Sequence, residues 1–170
     1  MTKKYLIPIL MLAVALGGCF AFYYFSDKEV IKRQLAGLAG EIGKKGQQEP
    51  PVVMALKMRN VKNVLATSCL VTIPERGYSE PLEPDLIIQY LIYHRTRFIL
   101  FAVAFENMTV TIPAKERAAV QATVRIRHQK MGQTKPIEEV DQVELALVKR
   151  DKKWLLDKIT LPEALVASGQ

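Results

Sequence analysis

The chain has 170 residues, of which 49% are hydrophobic and 24% are charged. This composition indicates a globular protein and excludes a disordered one, and the length suits a single domain once a membrane segment is set aside. The formal charge of +7 comes from basic residues scattered along the chain. Because no basic run is interleaved with aromatic residues, nucleic acid is not an expected partner.

The first 25 residues predict attachment to a membrane. Lys3 and Lys4 precede residues 5–25, which carry no charge. About 20 apolar residues in a helix are long enough to cross the hydrocarbon layer. We therefore expect residues 1–25 to form an uncleaved, single-pass anchor, with residues 26–170 as one domain on the extracytoplasmic side of the membrane.

Cys19 leaves a second mode of attachment open. The sequence Leu16-Gly17-Gly18-Cys19 resembles the lipobox of bacterial lipoproteins, so Cys19 could become a lipidated N-terminus after cleavage. Residues 20–25 continue the apolar run beyond the cysteine, which favours the uncleaved span. Both alternatives leave the domain tethered to the membrane.

Two helices are predicted at the start of the domain. Ser26 and Glu29 have the spacing of a capping box, which marks a helix N-terminus. Apolar residues at helical spacing follow it, and residues 43–46 end the helix. A second helix is predicted after the proline-stopped connection 47–51, ending near Ala66.

The next elements alternate between strand and helix. Residues 69–73 form a short apolar run that predicts a strand, and Cys69 within it is expected to be a small buried side chain. Residues 74–84 are rich in proline and glycine and are expected to be a loop. Pro84 and Asp85 favour the start of a third helix, because both residue types suit a first helical turn.

Four strands complete the chain. Residues 98–105 are apolar at every position, which is typical of a strand covered on both faces, and Glu106 and Asn107 mark a possible bulge. Apolar and polar residues alternate over 120–127 and 142–148, predicting a hairpin that turns near Gly132. A second polar turn at 151–153 leads into a last strand, 154–159.

The order helix, helix, strand, helix and four strands resembles the nuclear transport factor 2-like superfamily, which includes the SnoaL-like polyketide cyclases and ketosteroid isomerase. Residues 26–45, 105–110, 118–127 and 145–156 carry the resemblance. It implies an α+β fold of three helices packed on a strongly curved antiparallel sheet, forming a cone-like α+β barrel with a pocket at its open end. It also implies a homodimer formed through the outer face of the sheet.

Five polar residues are candidates for the pocket or its rim: Tyr90, His94, His128, Glu139 and Asp141. Tyr90 and His94 lie one turn apart on the third helix. His128, Glu139 and Asp141 share strand parity with the core, and antiparallel pairing brings His128 close to Glu139. A histidine beside a carboxylate can act as a base with its orienting partner, but ends of hairpins are usually solvated, which favours a rim.

No catalytic set emerges from these residues, and two cysteines with two histidines predict neither a metal site nor a cofactor. The favoured interpretation is a membrane-tethered, extracytoplasmic domain that binds an unknown protein or a hydrophobic ligand. The alternative is a small pocket enzyme, a hydrolase, isomerase or dehydratase, acting on an apolar substrate in the cone.

Overall fold

The structure, a computed structural model, describes residues 26–44, 46 and 49–162. Three helices and one six-stranded sheet account for most of these residues, so the predicted α+β class is confirmed. The helices are α1 Asp27–Ile42, α2 Pro51–Lys62 and α3 Pro84–Thr96, and the strands are β1 Leu65–Ile73, β2 Tyr78–Leu82, β3 Phe98–Ala114, β4 Arg117–Lys130, β5 Ile137–Arg150 and β6 Lys153–Thr160.

Helix α1 begins where the sequence predicts. The Ser26 hydroxyl accepts a hydrogen bond from the backbone N–H of Glu29 at 3.5 Å, which satisfies one of the free amides of the first turn. Ile31, Leu35 and Leu38 are buried, and all three belong to one apolar stripe. This stripe packs into the main core, whose other members come from α2 and from the inner face of the sheet.

The prediction for the second helix was too long. Helix α2 ends at Lys62, and the chain enters β1 at Leu65. Leu65 and Ala66 are both buried, and Leu65 pairs with Leu156 of β6. Burial in the sheet therefore overrides the apolar spacing that suggested continued helix, and β1 begins four residues earlier than expected.

Residues 74–84 are not a simple loop. They contain a short 3-10 turn, Pro74–Arg76, and the strand β2, which pairs antiparallel with β1. Gly77 allows the tight reversal because it adopts a φ of 61°. Pro81 is tolerated because β2 lies at the edge of the sheet, where a proline costs no central ladder hydrogen bond.

The sheet is mixed and open, which corrects the expected cone-like antiparallel barrel. Its strand order is β2-β1-β6-β5-β4-β3, and β1 runs parallel to β6 while the other pairs are antiparallel. It is neither closed nor strongly curled. Apolar patterns give the faces of strands but not their direction, so the parallel pair was not visible in the sequence.

Strand β3 is an edge strand, and residues 99–105 are only partly buried within the chain. Val103 and Phe105 pack against the core, while the alternate positions point to the other face of the sheet. Within the described residues, β3 is therefore not completely covered on both faces, contrary to what the apolar run 98–105 predicted. The predicted bulge is confirmed, because the pairing of β3 with β4 shifts between Glu106 and Thr109 and Asn107 has a φ of 49°.

Across the described residues, no helix combines the length and the apolar composition that crossing a membrane requires. The anchor predicted for residues 1–25 and the lipidation candidate Cys19 lie outside the described part of the chain.

Candidate functional site

A cavity of about 640 Å³ lies where α3 and the β1–β2 hairpin meet the ends of β3, β4 and β6. This volume is within the range of small-molecule sites. Ten of its fifteen lining residues are apolar and five carry a polar group. The lining residues are Val71, Ile73, Arg76, Tyr78, Leu82, Ile87, Tyr90, Leu91, His94, Phe98, Phe101, Ile126, His128, Ile159 and Leu161.

His128 is the most buried polar residue of this cavity. It is only 3% exposed, so the expectation of a solvated hairpin end is wrong for this residue. Its ring lies 4.9 Å from the ring of Phe98. Phe98 is the first residue of β3 and pairs with Lys130, the last residue of β4. The sequence gives the face of the sheet on which His128 lies, but not this covering by Phe98.

His128 and Glu139 are in contact, as the strand pairing predicted. The His128 Nε2 atom lies 3.1 Å from Glu139 Oε1. Strand β4 pairs with β5 so that Ile126 is opposite Glu139, and the contact crosses the ladder diagonally to His128. Diagonal neighbours on one sheet face are within reach of long side chains.

The two ring nitrogens of His128 differ in their hydrogen bonding. A carboxylate accepts a hydrogen bond from an Nε2–H group, and in that tautomer a neutral ring keeps Nδ1 as an acceptor. Nδ1 and Glu139 Oε2 are both buried and make no hydrogen bond within the described residues. The pair is thus a buried imidazole in contact with a carboxylate at the wall of a largely apolar cavity.

Tyr90 and His94 project from α3 toward the same cavity. Tyr90 is 54% exposed, which places it at the mouth rather than in the interior. Burial lowers the pKa of His94 below its ordinary value, and the positive charge of Arg97 lowers it further. His94 is therefore neutral at pH 7 and can donate or accept a hydrogen bond there.

Asp141 is set apart from the other four candidates. It is half-buried and is not among the residues that line the cavity. Its Oδ1 atom accepts a hydrogen bond from the backbone N–H of Gln142 at 2.7 Å. The structure thus brings Tyr90, His94 and His128 to one cavity, with Glu139 behind His128.

Arg76 and Tyr78 also line the cavity, and the sequence reasoning missed them because it treated their segment as a loop. Burial raises the pKa of Tyr78, and the nearby charge of Glu80 raises it further, so the phenol stays protonated. The alternation of Tyr78 and Leu82 with polar residues was the available signal for this strand. Pro81 concealed it.

A second cluster of charged residues surrounds Glu49, outside this cavity. Glu49 lies 2.7 Å from Arg95 Nη2 and 2.7 Å from Lys57 Nζ. Burial raises the pKa of Glu49, but Lys57 and Arg95 together outweigh it and hold the pKa below its ordinary value. This cluster joins α2 to α3 and serves the fold.

No group of three or more histidine, cysteine or acidic side chains is placed to hold a metal ion among residues 26–44, 46 and 49–162. The thiol of Cys69 is fully buried. Burial, helped by the charge of Asp157, raises its pKa to about 12, so Cys69 is not a nucleophile at neutral pH.

No family model matches the chain, and no curated protein matches it. Solved structures do. A protein provisionally named as a scytalone dehydratase from Novosphingobium aromaticivorans superposes with a TM-score of 0.61 at 14% identity, covering 76% of this chain and 78% of that one.

The association domain of C. elegans CaMKII superposes with a TM-score of 0.60 at 13% identity, over 82% of this chain and 97% of that one. The Kfla4162 protein from Kribbella flavida gives 0.61 at 15% identity, over 80% and 92%. At these identities the likeness shows the fold alone, and that fold is the nuclear transport factor 2-like one.

Proposed function

We propose that this chain is a membrane-tethered domain that binds a small, largely apolar molecule in the cavity between α3 and the sheet. The observation that carries the proposal is the cavity itself, about 640 Å³ in volume and lined mainly by apolar side chains. Its few polar groups, among them His94 and His128, suit a ligand with one or two hydroxyl or carbonyl groups. Sites of this kind bind by apolar burial and select by a few polar contacts.

Binding of 2-naphthol, a bicyclic phenol, tests this proposal by calorimetry on the full chain in detergent. Ile126 lines the cavity from β4, so Ile126→Trp should fill part of the space and abolish binding. Val140 lies outside the lining and is 51% exposed, so Val140→Trp is the matched control and should leave binding unchanged. Equal affinities for both variants would contradict the proposal.

A second cavity variant guards against a folding defect. Leu91 lines the cavity from α3 rather than from the sheet, so Leu91→Trp reduces the same space from the opposite wall. A folded variant is recognised by an unchanged unfolding temperature. If Leu91→Trp folds and still binds 2-naphthol as the unaltered chain does, the cavity is not the binding site.

The tether in this proposal is supported by the uncharged run over residues 5–25. Membrane fractionation of the full chain after alkaline extraction tests it, and the chain should remain with the membranes. Cys19→Ser separates the two modes of attachment. Unchanged precursor size and no incorporation of labelled palmitate in either form support the uncleaved span, whereas label lost on substitution supports the lipoprotein.

A second candidate function, catalysis in the same cavity, is favoured by one observation: the buried contact between His128 and Glu139. A buried imidazole held by a carboxylate suits removal of a proton from carbon next to a carbonyl group. A solved structure of similar fold carries a provisional name as a dehydratase, which is consistent with this chemistry.

The base activity has a direct probe in 5-nitrobenzisoxazole. A base removes the C3 proton of this compound, the N–O bond breaks, and the electrons pass to oxygen to give a coloured cyanophenolate. We expect His128→Gln to abolish the protein's rate above background and Glu139→Gln to lower it by about 10²-fold. A rate that is unchanged in His128→Gln would rule out His128 as a base.

A further inference from the structure

The end of the domain at which α1 begins carries exposed basic turns. Asp27, the first residue of α1, accepts hydrogen bonds at its Oδ1 atom from Lys149 Nζ at 2.6 Å and from Trp154 Nε1 at 3.1 Å. These two contacts hold the start of α1 against the ends of β5 and β6. The first turn of α1 therefore lies beside the β5–β6 turn.

The β3–β4 turn lies against the same end. The backbone N–H of Lys149 donates to the carbonyl of Glu116 at 2.9 Å, which joins the two turns. Together they present five exposed basic residues and two exposed acidic ones. We call this set the basic end, and its residues are Lys115, Glu116, Arg117, Arg150, Asp151, Lys152 and Lys153.

We propose that the basic end lies on the membrane and binds the head groups of anionic phospholipids. The inference rests on the membrane tether proposed above, because residue 25, the last of the apolar run, is followed at once by Ser26. With no linker between them, the turns beside α1 must lie near the bilayer surface. Basic residues that are held at that distance are attracted to anionic lipid.

The arrangement also orients the cavity. Helix α1 has 16 residues, which span about 24 Å at 1.5 Å per residue. Just beyond its far end, Lys44 bridges to Phe101, one of the residues that line the cavity. A domain that rests on its basic end therefore holds the cavity away from the bilayer, open to a ligand from the aqueous phase.

Trp154 provides the probe, since it is the chain's only tryptophan and lies beside the basic end. The full chain is reconstituted into phosphatidylcholine vesicles that contain a head-group spin label, with or without phosphatidylglycerol at about 30%. We expect quenching of Trp154 fluorescence to be roughly twofold greater with the anionic lipid. The difference should disappear in about 0.5 M salt, where charges are screened within a few ångströms.

Two triple variants test whether the basic end causes the greater quenching with anionic lipid. Arg150→Gln, Lys152→Gln and Lys153→Gln together should abolish the dependence on anionic lipid. Arg127→Gln, Lys130→Gln and Lys135→Gln remove the same charge from the opposite end of the sheet and should retain it. If both sets behave alike, the domain does not bind lipid through the basic end.

Flotation of the same vesicles separates this inference from the tether. If the chain floats with both lipid mixtures but shows equal quenching in them, the basic end does not bind anionic lipid, and the tether is unaffected. A chain that floats with neither overturns the tether, and the inference with it. Flotation in both, with greater quenching in the anionic vesicles, supports the two proposals together.

Discussion

Arg95 and His128 are the two buried residues with a polar or charged side chain in the described part of the chain, and each lies beside a carboxylate. Burying a charge is costly unless a partner compensates it. For Arg95, Glu49 supplies most of that compensation, with a further hydrogen bond to the carbonyl of Gly43 at 3.0 Å. The buried ring of His128 has Nε2 paired with Glu139 Oε1 at 3.1 Å.

Glu49→Gln is expected to lower the free energy of unfolding by about 3 kcal/mol, because it leaves the buried guanidinium of Arg95 without its counter-charge. Urea unfolding followed by Trp154 fluorescence measures the loss. Asp85→Asn is the matched control, since Asp85 forms an exposed ion pair with Lys62 and its loss should cost less than about 1 kcal/mol. Equal losses would mean that Arg95 does not depend on Glu49.

Asp27 is expected to make stability sensitive to acid. The hydrogen bond from Lys149 lowers the pKa of Asp27 below its ordinary value of 3.8, outweighing burial, and Trp154 adds to the effect. A depressed pKa contributes stability above that ordinary value and loses it as the pH falls toward the folded-state pKa. Asp27→Asn should therefore flatten the acid limb of stability against pH below about pH 4; an unchanged limb would contradict this.

For single residues, the sequence predicted which side chains are in contact better than it predicted how deeply they are buried. The pairing of alternating strands placed His128 beside Glu139, because parity and turn position determine which side chains share a face. The same reasoning placed His128 at a solvated rim, because strand parity does not show that Phe98 covers the His128 ring. Tyr78 was missed for a related reason: its environment depends on the β1–β2 hairpin, which proline and glycine concealed.

Among the elements, the two-residue turn between β5 and β6 adopts the least favourable backbone for its residues. Asp151 and Lys152 both have positive φ, at 48° and 64°, as a type I′ hairpin requires. Glycine adopts this conformation readily and asparagine or aspartate less so, whereas other residues disfavour it. The polar pattern of 151–153 predicted a turn here, and the structure confirms it.

Lys152→Gly should raise the free energy of unfolding by about 1 kcal/mol, because glycine adopts the positive φ without steric cost. Lys153→Gly is the control one residue further along, in β6, where glycine should lower stability by roughly 0.5–1 kcal/mol. Thermal unfolding of the two variants compares them. A loss of stability in Lys152→Gly would show that the side chain of Lys152 outweighs its backbone strain.

The start of α1 and the β4–β5 and β5–β6 hairpins were predictable because their signals are local. Ser26 with Glu29 marked α1, and Asn107 marked the bulge of β3. The β1–β6 pair was not, since Leu65 and Leu156 are separated by most of the domain. Such pairing follows from the packing of the complete chain, and no local pattern specifies it.

Among the described residues, one face of the edge strand β3 is incompletely covered. Phe101, Val103 and Phe105 point toward the helices or the cavity, so Leu100, Ala102 and Ala104 lie on the outer face. The family resemblance implied a homodimer through this face, and that stays a prediction. Light scattering of the full chain in detergent should give a dimer that Ala102→Glu converts to a monomer; a monomer at every concentration would contradict it.

The cavity and the basic end lie at opposite ends of α1, so the proposed ligand binding and the proposed membrane contact fall at opposite ends of the domain. The described residues carry a second exposed apolar surface. On α2, Val52 is 79% exposed and Leu56 is 50% exposed. Neither Val52 nor Leu56 lines the cavity, so a bound ligand can be assigned to one of the two surfaces.

The most direct test of ligand binding is a methyl-resolved nuclear magnetic resonance titration of the chain with 2-naphthol. We expect saturable shifts at the cavity methyl groups of Leu91, Ile126 and Ile159, with none at Val52 or Leu56. Shifts confined to Val52 and Leu56, or no saturable shift at the cavity residues, would contradict this expectation.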